Sequence, residues 1–211
     1  VLAPLLNRDL GGKVDLTLFG EGYDAYRAYV QSLQPHIHGM GVFDHGAKKQ
    51  AERSNLWMAQ AKAGGELIGV MLYDLKGENL AEYNMRVVRF CYSNSLGKYL
   101  LLSWIARHVD QANRVEIWLP PSEQPETWLA DMQVKTESEV RAPMGRVLDV
   151  AKLGGMRCGP GSFSARISDP LCPWNNGVWR FEATDGVLHV STAAQQDCDI
   201  SIQALAGLVY G

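Results

Sequence analysis

From Leu56 to Leu119 the chain reads as strand, strand, strand, helix, strand with little between them, and that order most restricts what it can fold into. Leu56 to Lys62 and Glu66 to Leu75 are strand-like and are joined by Ala63-Gly64-Gly65, a hairpin turn that glycine permits because it accepts positive φ. Glu82 to Tyr92 is a third strand, rich in Val, Phe and Tyr. Ser93-Asn94-Ser95 then caps a strongly apolar helix from Leu96 to about Val109, with Leu100, Leu101, Trp104, Ile105 and His108 on its buried face. Val115 to Leu119 is the next strand.

The flanks complete one unit. Tyr26, Tyr29, Val30 and Leu33 recur at helical spacing between Asp24 and Leu33, and Pro35 closes that segment. A second helix is predicted from Asp44 to Arg53, with Asp44 as N-cap. After Pro120-Pro121 and Pro125, a short helix from Glu126 to Met132 leads to a strand pair at Val134 to Val140 and Arg146 to Val150. The predicted order is α-α-β-β-β-α-β-α-β-β, a mixed α/β layer.

Glycine content rises at Leu153-Gly154-Gly155, where a second unit is predicted to begin. Phe163 to Ile167, Val178 to Ala183, Val187 to Ser191 and Asp199 to Ile202 alternate as half-buried antiparallel strands do, with turns at Asn175-Asn176-Gly177 and Asp185-Gly186. Ile202 to Val209 reads as the start of a helix. The domains expected are residues 1–153 and 154–211, the latter a small α+β domain that is incomplete. A chain that starts at Val1 and stops on ALAGLVYG, an apolar run still needing a partner, reads as a piece of something larger.

Charge and cysteine spacing exclude several classes of function. A net charge of -3 argues against a nucleic-acid or anionic-membrane surface, which would need a basic stripe. Lys48-Lys49 with Arg53 reads as one solvated helix face. Cys91, Cys158, Cys172 and Cys198 form no C-x-x-C pair, which disfavours a zinc knuckle or a thioredoxin-type site and fits buried thiols in a reducing cytoplasm. VLAPLLNRDLGG is too short and lacks the cationic flank of a signal peptide or membrane span.

The hairpin ELIGVMLYDLKG, the strand and helix RVVRFCYSNSLGKYLLLSWIARHV, the strand RVEIWLP and the segment M-x-R-V-x-D-V from Met144, followed by a sheet ending in LAGLVYG, carry a resemblance. Together they resemble the Eis-type (enhanced intracellular survival) GNAT acetyltransferases. That resemblance implies a three-part protein: an acetyl-CoA-binding GNAT domain, a degenerate second GNAT-like domain, and a small domain similar to sterol carrier protein 2. This chain would cover the second part and most of the third. The implied reaction moves acetyl from acetyl-CoA to a primary amine, with this portion shaping the substrate pocket and the contacts of a homo-oligomer. Met144 and Arg146 are implied to line the substrate channel. The resemblance also implies a catalytic carboxylate at the full chain's own C-terminus, a role Gly211 is not expected to replace.

The resemblance implies that a GNAT domain holding acetyl-CoA has a Q/R-x-x-G-x-G/A loop between the fourth strand and the next helix, where glycines let backbone N–H groups approach the pyrophosphate. Here the turn reads Tyr92-Ser93-Asn94-Ser95-Leu96-Gly97-Lys98, with one glycine and bulky Leu96 and Tyr99 where close approach is wanted. No cofactor is therefore expected on this chain; acetyl-CoA belongs to the domain upstream. His36-x-His38 with Asp44 and His45 reads as a loop with incidental histidines, so no metal is expected. Ser162, Ser164 and Ser168 near Asp169 and His189 lack a nucleophile elbow, Cys158 beside Arg157 reads as a linker thiol, and Gly159 to Gly161 lack the lysine of a phosphate loop. Trp104, Trp118, Trp128, Trp174 and Trp179 are expected in cores. The competing reading is a binding module holding an apolar ligand over Phe163, Ile167, Trp179, Phe181 and Val190.

Overall fold

The structure, a computed structural model, describes residues 5, 8–37, 40–42, 46–77, 83–108, 112–120, 122–129, 134–137 and 145–210. The chain forms two compact units, Val1–Glu137 and Ser138–Gly211.

In the first unit, strand β1 (Lys13–Leu18) runs into helix α1 (Phe19–Leu33), and a one-turn 3-10 segment holding Pro35 ends that helix. Helix α2 (Ala47–Arg53) precedes strands β2 (Trp57–Ala63), β3 (Glu66–Lys76) and β4 (Tyr83–Tyr92). Helix α3 (Ser95–Ala106) and strand β5 (Ala112–Ile117) follow. Among the described residues the sheet runs in the order β1-β2-β3-β4-β5, antiparallel except for the β4–β5 pair, which is parallel. A parallel pair needs a crossover, and α3 is that crossover.

The β2–β3 hairpin turns where the sequence indicates, with Gly64 and Gly65 at φ 58° and 87°. Two successive positive φ values match the right-handed twist of the flanking strands. Leu101, Leu102 and Ile105 of α3 pack with Ala59, Ala61, Met71, Tyr73, Met85 and Val87 of the sheet, all essentially buried. Removing each large aliphatic side chain from water contributes roughly 1.5–3 kcal/mol. On the opposite face, Tyr29 and Leu33 of α1 pack on Val70.

Three expectations change here. The unit opens with a strand, because Val14, Leu16 and Leu18 alternate with polar neighbours and pair with β2. The helix expected from Glu126 to Met132 is, among the described residues, a single 3-10 turn at Pro125–Thr127, entered through proline. Residues 134–137 and 145–150 form no strand, and the rest of the expected pair lies outside the described residues. Asp44, the expected cap of α2, also lies outside them; Gly46 at φ 73° precedes the helix.

The second unit holds strands β6 (Ser162–Ser168), β7 (Gly177–Thr184), β8 (Val187–Thr192) and β9 (Cys198–Ser201), then helix α4 (Ile202–Tyr210). The sheet order is β8-β7-β6-β9. It is mixed rather than wholly antiparallel, since β9 lies parallel to β6. Asp185 and Gly186, at φ 53° and 76°, make the β7–β8 turn. Ile202, Leu205 and Ala206 of α4 close over Ile167 and Phe181, with Val147, Val150 and Leu153 at the edge. Leu208 and Tyr210 stay exposed.

Candidate functional site

In the first unit the chemistry-bearing place is the junction of β4 and α3. The β4–β5 ladder ends at Val87 opposite Ile117, with one last bond from the Trp118 amide to the Val87 carbonyl at 3.0 Å. On the other side β3 meets β4 with a bulge: Leu72 pairs with Arg89 and Tyr73 with Val87, so Val88 has a partner in neither ladder. Bulges re-aim side chains and interrupt pairing, and this one lies where β4 leaves β5. From Val88 to Tyr92, β4 therefore presents an edge that β5 does not cover.

The turn that follows is tightly committed. Asn94, extended at φ -156°, caps α3 by accepting the Gly97 amide at 2.9 Å. The Ser93 amide donates to the Ile68 carbonyl at 3.0 Å. A Cβ at Gly97 would lie 2.1 Å from that same carbonyl oxygen, so the glycine lets the first turn of α3 touch the backbone of β3. It serves helix–sheet packing.

Residues 122–129 return over the uncovered part of β4. The Trp128 ring stacks on Phe90 with centroids 5.7 Å apart and planes 19° from parallel, and is almost wholly buried. Tyr92 donates its hydroxyl to Glu123, and Tyr99 donates to the Trp128 carbonyl at 2.8 Å. The Lys98 ammonium lies 5.2 Å from the Trp128 ring centre, 5.3 Å from that of Tyr92 and 5.7 Å from that of Tyr99. A cation over several ring faces is held by their quadrupoles. Burial pushes the Tyr92 phenol far above its ordinary range, and the neighbouring Glu123 carboxylate pushes it further. These residues do not fit the pyrophosphate and pantetheine of acetyl-CoA. The cap occupies the Gly97 amide, packing requires its Cα hydrogen, and the Trp128 ring fills the space against the Phe90 ring beside the turn.

In the second unit Arg146 joins a buried polar knot. Its guanidinium donates to Asp169 Oδ1 at 2.5 Å and approaches Cys172 Sγ at 3.9 Å. The Asp169 carboxylate, without solvent exposure, also accepts the Leu171 and Cys172 amides at 3.0 and 3.1 Å and Asn175 Nδ2 at 2.9 Å. Burial alone would raise its pKa; Asn175, the two amides and Arg146 together outweigh that and hold it below its ordinary value. Asn175 in turn accepts the Val150 amide and donates to the Leu148 carbonyl. Arg146 thus ties residues 146–150 to the loop 169–176. Met144 lies outside the described residues.

The other sequence candidates separate. His36 sits in the 3-10 turn after α1, while His38, Asp44 and His45 lie outside the described residues. Among the described residues no group of three His, Cys, Asp or Glu side chains could hold a metal. Ser164 Oγ receives Arg180, and Ser162 Oγ does likewise. Phe163, Ile167, Trp179, Phe181 and Val190 belong to the core that α4 closes. Trp118 and Trp174 are exposed, contrary to expectation, and Cys198 is exposed rather than buried. No described helix is long and apolar enough to cross a membrane.

The first unit is a five-stranded mixed sheet with α3 as its crossover, and the second a four-stranded mixed sheet closed by α4. Residues 21–147 match the acetyltransferase (GNAT) domain and residues 153–211 the sterol carrier protein domain. The chain belongs to the GNAT acetyltransferase family, whose general acyl donor is acetyl-CoA. It is similar to a GCN5-related N-acetyltransferase from Anabaena variabilis, at TM-score 0.73 and 15% identity over 98% of this chain and 55% of that one. A GCN5-related N-acetyltransferase from Kribbella flavida gives 0.68 and 16% over 98% and 52%. Eis1 from Mycobacterium abscessus gives 0.57 and 14% over 97% and 54%. The chain spans about half the length of each of these, and at such identities the likeness is one of fold. No curated protein matches it.

Proposed function

We propose that this chain is the C-terminal portion of an Eis-type GNAT N-acetyltransferase, a degenerate GNAT-like domain followed by part of a sterol-carrier-like domain. In that reading acetyl-CoA is held by a GNAT domain elsewhere in the protein, and this portion binds none. The observation that carries it is the β4–α3 junction, where Asn94 takes the Gly97 amide and Trp128 stacks on Phe90. The whole protein would acetylate a primary amine in the cytoplasm and assemble as a homo-oligomer, with this portion forming pocket walls and subunit contacts. Met144 and Arg146 would border the substrate channel. Arg146 keeps about a third of its side chain accessible beyond its bond to Asp169, which leaves it a face for that role.

Acetyl transfer needs a base for the ammonium, a donor for the thioester oxygen and a proton for the departing thiolate. The phenol closest to the turn, Tyr92, already donates to Glu123. The carrier-type reading, an apolar ligand over Phe163 and its neighbours, is disfavoured by the closure of Ile202, Leu205 and Ala206 over that face. The test is release of free thiol from acetyl-CoA in the presence of a panel of primary amines. The 211-residue chain alone is expected to give no more than the uncatalysed rate. Amine-dependent thiol release by this chain would overturn the reading.

A further inference from the structure

We propose that Tyr92, Tyr99 and Trp128 form a cage that binds a small quaternary ammonium compound, and that Lys98 occupies this cage as a built-in competitor. The Lys98 ammonium stands over all three ring faces, at 5.3 Å from the centre of Tyr92, 5.7 Å from that of Tyr99 and 5.2 Å from that of Trp128. Each face is the negative side of a ring quadrupole, and three of them converging on one point make a cation site of the kind that takes trimethylammonium groups. Glu123, which accepts the Tyr92 hydroxyl, places a carboxylate at the hydroxyl end of one wall.

The walls are fixed by contacts other than those to Lys98. Trp128 is almost wholly buried and stacks on Phe90. Tyr92 meets Phe90 edge-on, with centroids 5.8 Å apart, and is tied at its other end to Glu123. Tyr99 is held by its hydroxyl bond to the Trp128 carbonyl at 2.8 Å. The cation is the loose part. Lys98 is only half-buried, its stem is flexible and its primary ammonium is strongly hydrated, so it can leave the rings for water at little cost. A quaternary ammonium has no N–H to satisfy and a weaker hydration shell, so the rings offset more of its desolvation than of a lysine's. Such a nitrogen has neither a proton to lose nor a lone pair, so it would be bound and not acetylated. The site is therefore separate from the amine chemistry of the proposed reaction, and the inference does not depend on that reading.

The experiment is titration of choline, and of dimethylbutanol as its uncharged carbon isostere, into the 211-residue chain and its Lys98→Ala variant, read by calorimetry and tryptophan fluorescence. Alanine is a good helix former at this half-buried position of α3, so the variant is expected to keep the fold. Choline is expected to bind Lys98→Ala saturably, with a dissociation constant of about 1 mM or tighter, and the parent at least about tenfold more weakly. Lys98→Gln, which also removes the charge, should gain affinity in the same direction. Dimethylbutanol is expected to bind none of them measurably. Adding Tyr99→Leu to Lys98→Ala should weaken choline at least about fivefold through loss of one wall, while Lys152→Ala, in the second unit, should behave as the parent. Absence of saturable choline binding in both Lys98 variants, equal binding of dimethylbutanol, equal choline affinity in the parent and the Lys98 variants, or full affinity without the Tyr99 ring would overturn the proposal.

Discussion

Gly97→Ala is expected to destabilise the first unit by about 3 kcal/mol or more, the upper range for overpacking a rigid contact. The added Cβ would stand 2.1 Å from the Ile68 carbonyl oxygen and 2.9 Å from its carbon, both backbone atoms of a central strand. No side chain can turn away to relieve that contact. Either α3 must lift from the sheet, opening the core around Leu101 and Leu102, or β3 must bend. Gly207→Ala is the matched control: it lies inside α4 with nothing within 4 Å of its Cβ position, and should be neutral or stabilising by up to about 1 kcal/mol. Urea unfolding followed by circular dichroism reads both. A Gly97→Ala midpoint equal to that of the parent would mean the glycine is free to serve a ligand rather than the packing of α3.

The second large effect is expected at Asp169. Asp169→Ala should lower the unfolding temperature of the second unit by roughly 10 °C, because it orphans Arg146, Asn175 and two amides at once. Hydrogen exchange over 145–210 separates this from the behaviour of the first unit. Asp169→Asn carries the test of charge. The folded carboxyl lies below its ordinary 3.8, so its contribution is present above about pH 4 and is lost as the pH falls below 3.8 and through the lower folded value. The Asn variant should be less stable at neutral pH and should lose less on acidification than the parent. Parallel acid limbs in parent and variant would contradict this account of the knot.

Much of the fold was legible because its signals are local. Gly64-Gly65 and Asp185-Gly186 fall at the turns they predict, and Asn94 caps α3 as Ser93-Asn94-Ser95 suggested. The departure of the β4–α3 turn from a phosphate loop was also visible in the one glycine between Tyr92 and Lys98. What could not be read was long-range. Nothing near Arg146 points to Asp169, 23 residues on, and the two meet where Asn175 also ties residues 148–150 to the same loop. The bulge at Val88 leaves no mark in the run RVVRF, because β3 sets it across the ladder. Trp128 was expected in a core, but its partner Phe90 and its position over β4 depend on a 3-10 turn that proline-rich sequence only hints at. β1 was the miss with a signal: its alternation of Val14, Leu16 and Leu18 is a plain strand pattern.

The most direct measurement is isothermal titration of acetyl-CoA into the 211-residue chain, with tryptophan fluorescence recorded alongside. If Trp128 stays stacked on Phe90 and Asn94 and Ile68 occupy the turn, no saturable heat is expected up to about 1 mM acetyl-CoA, a limit near -4 kcal/mol. Binding in the micromolar range, with a fluorescence change showing Trp128 displaced, would contradict the account and make this unit a cofactor-binding domain.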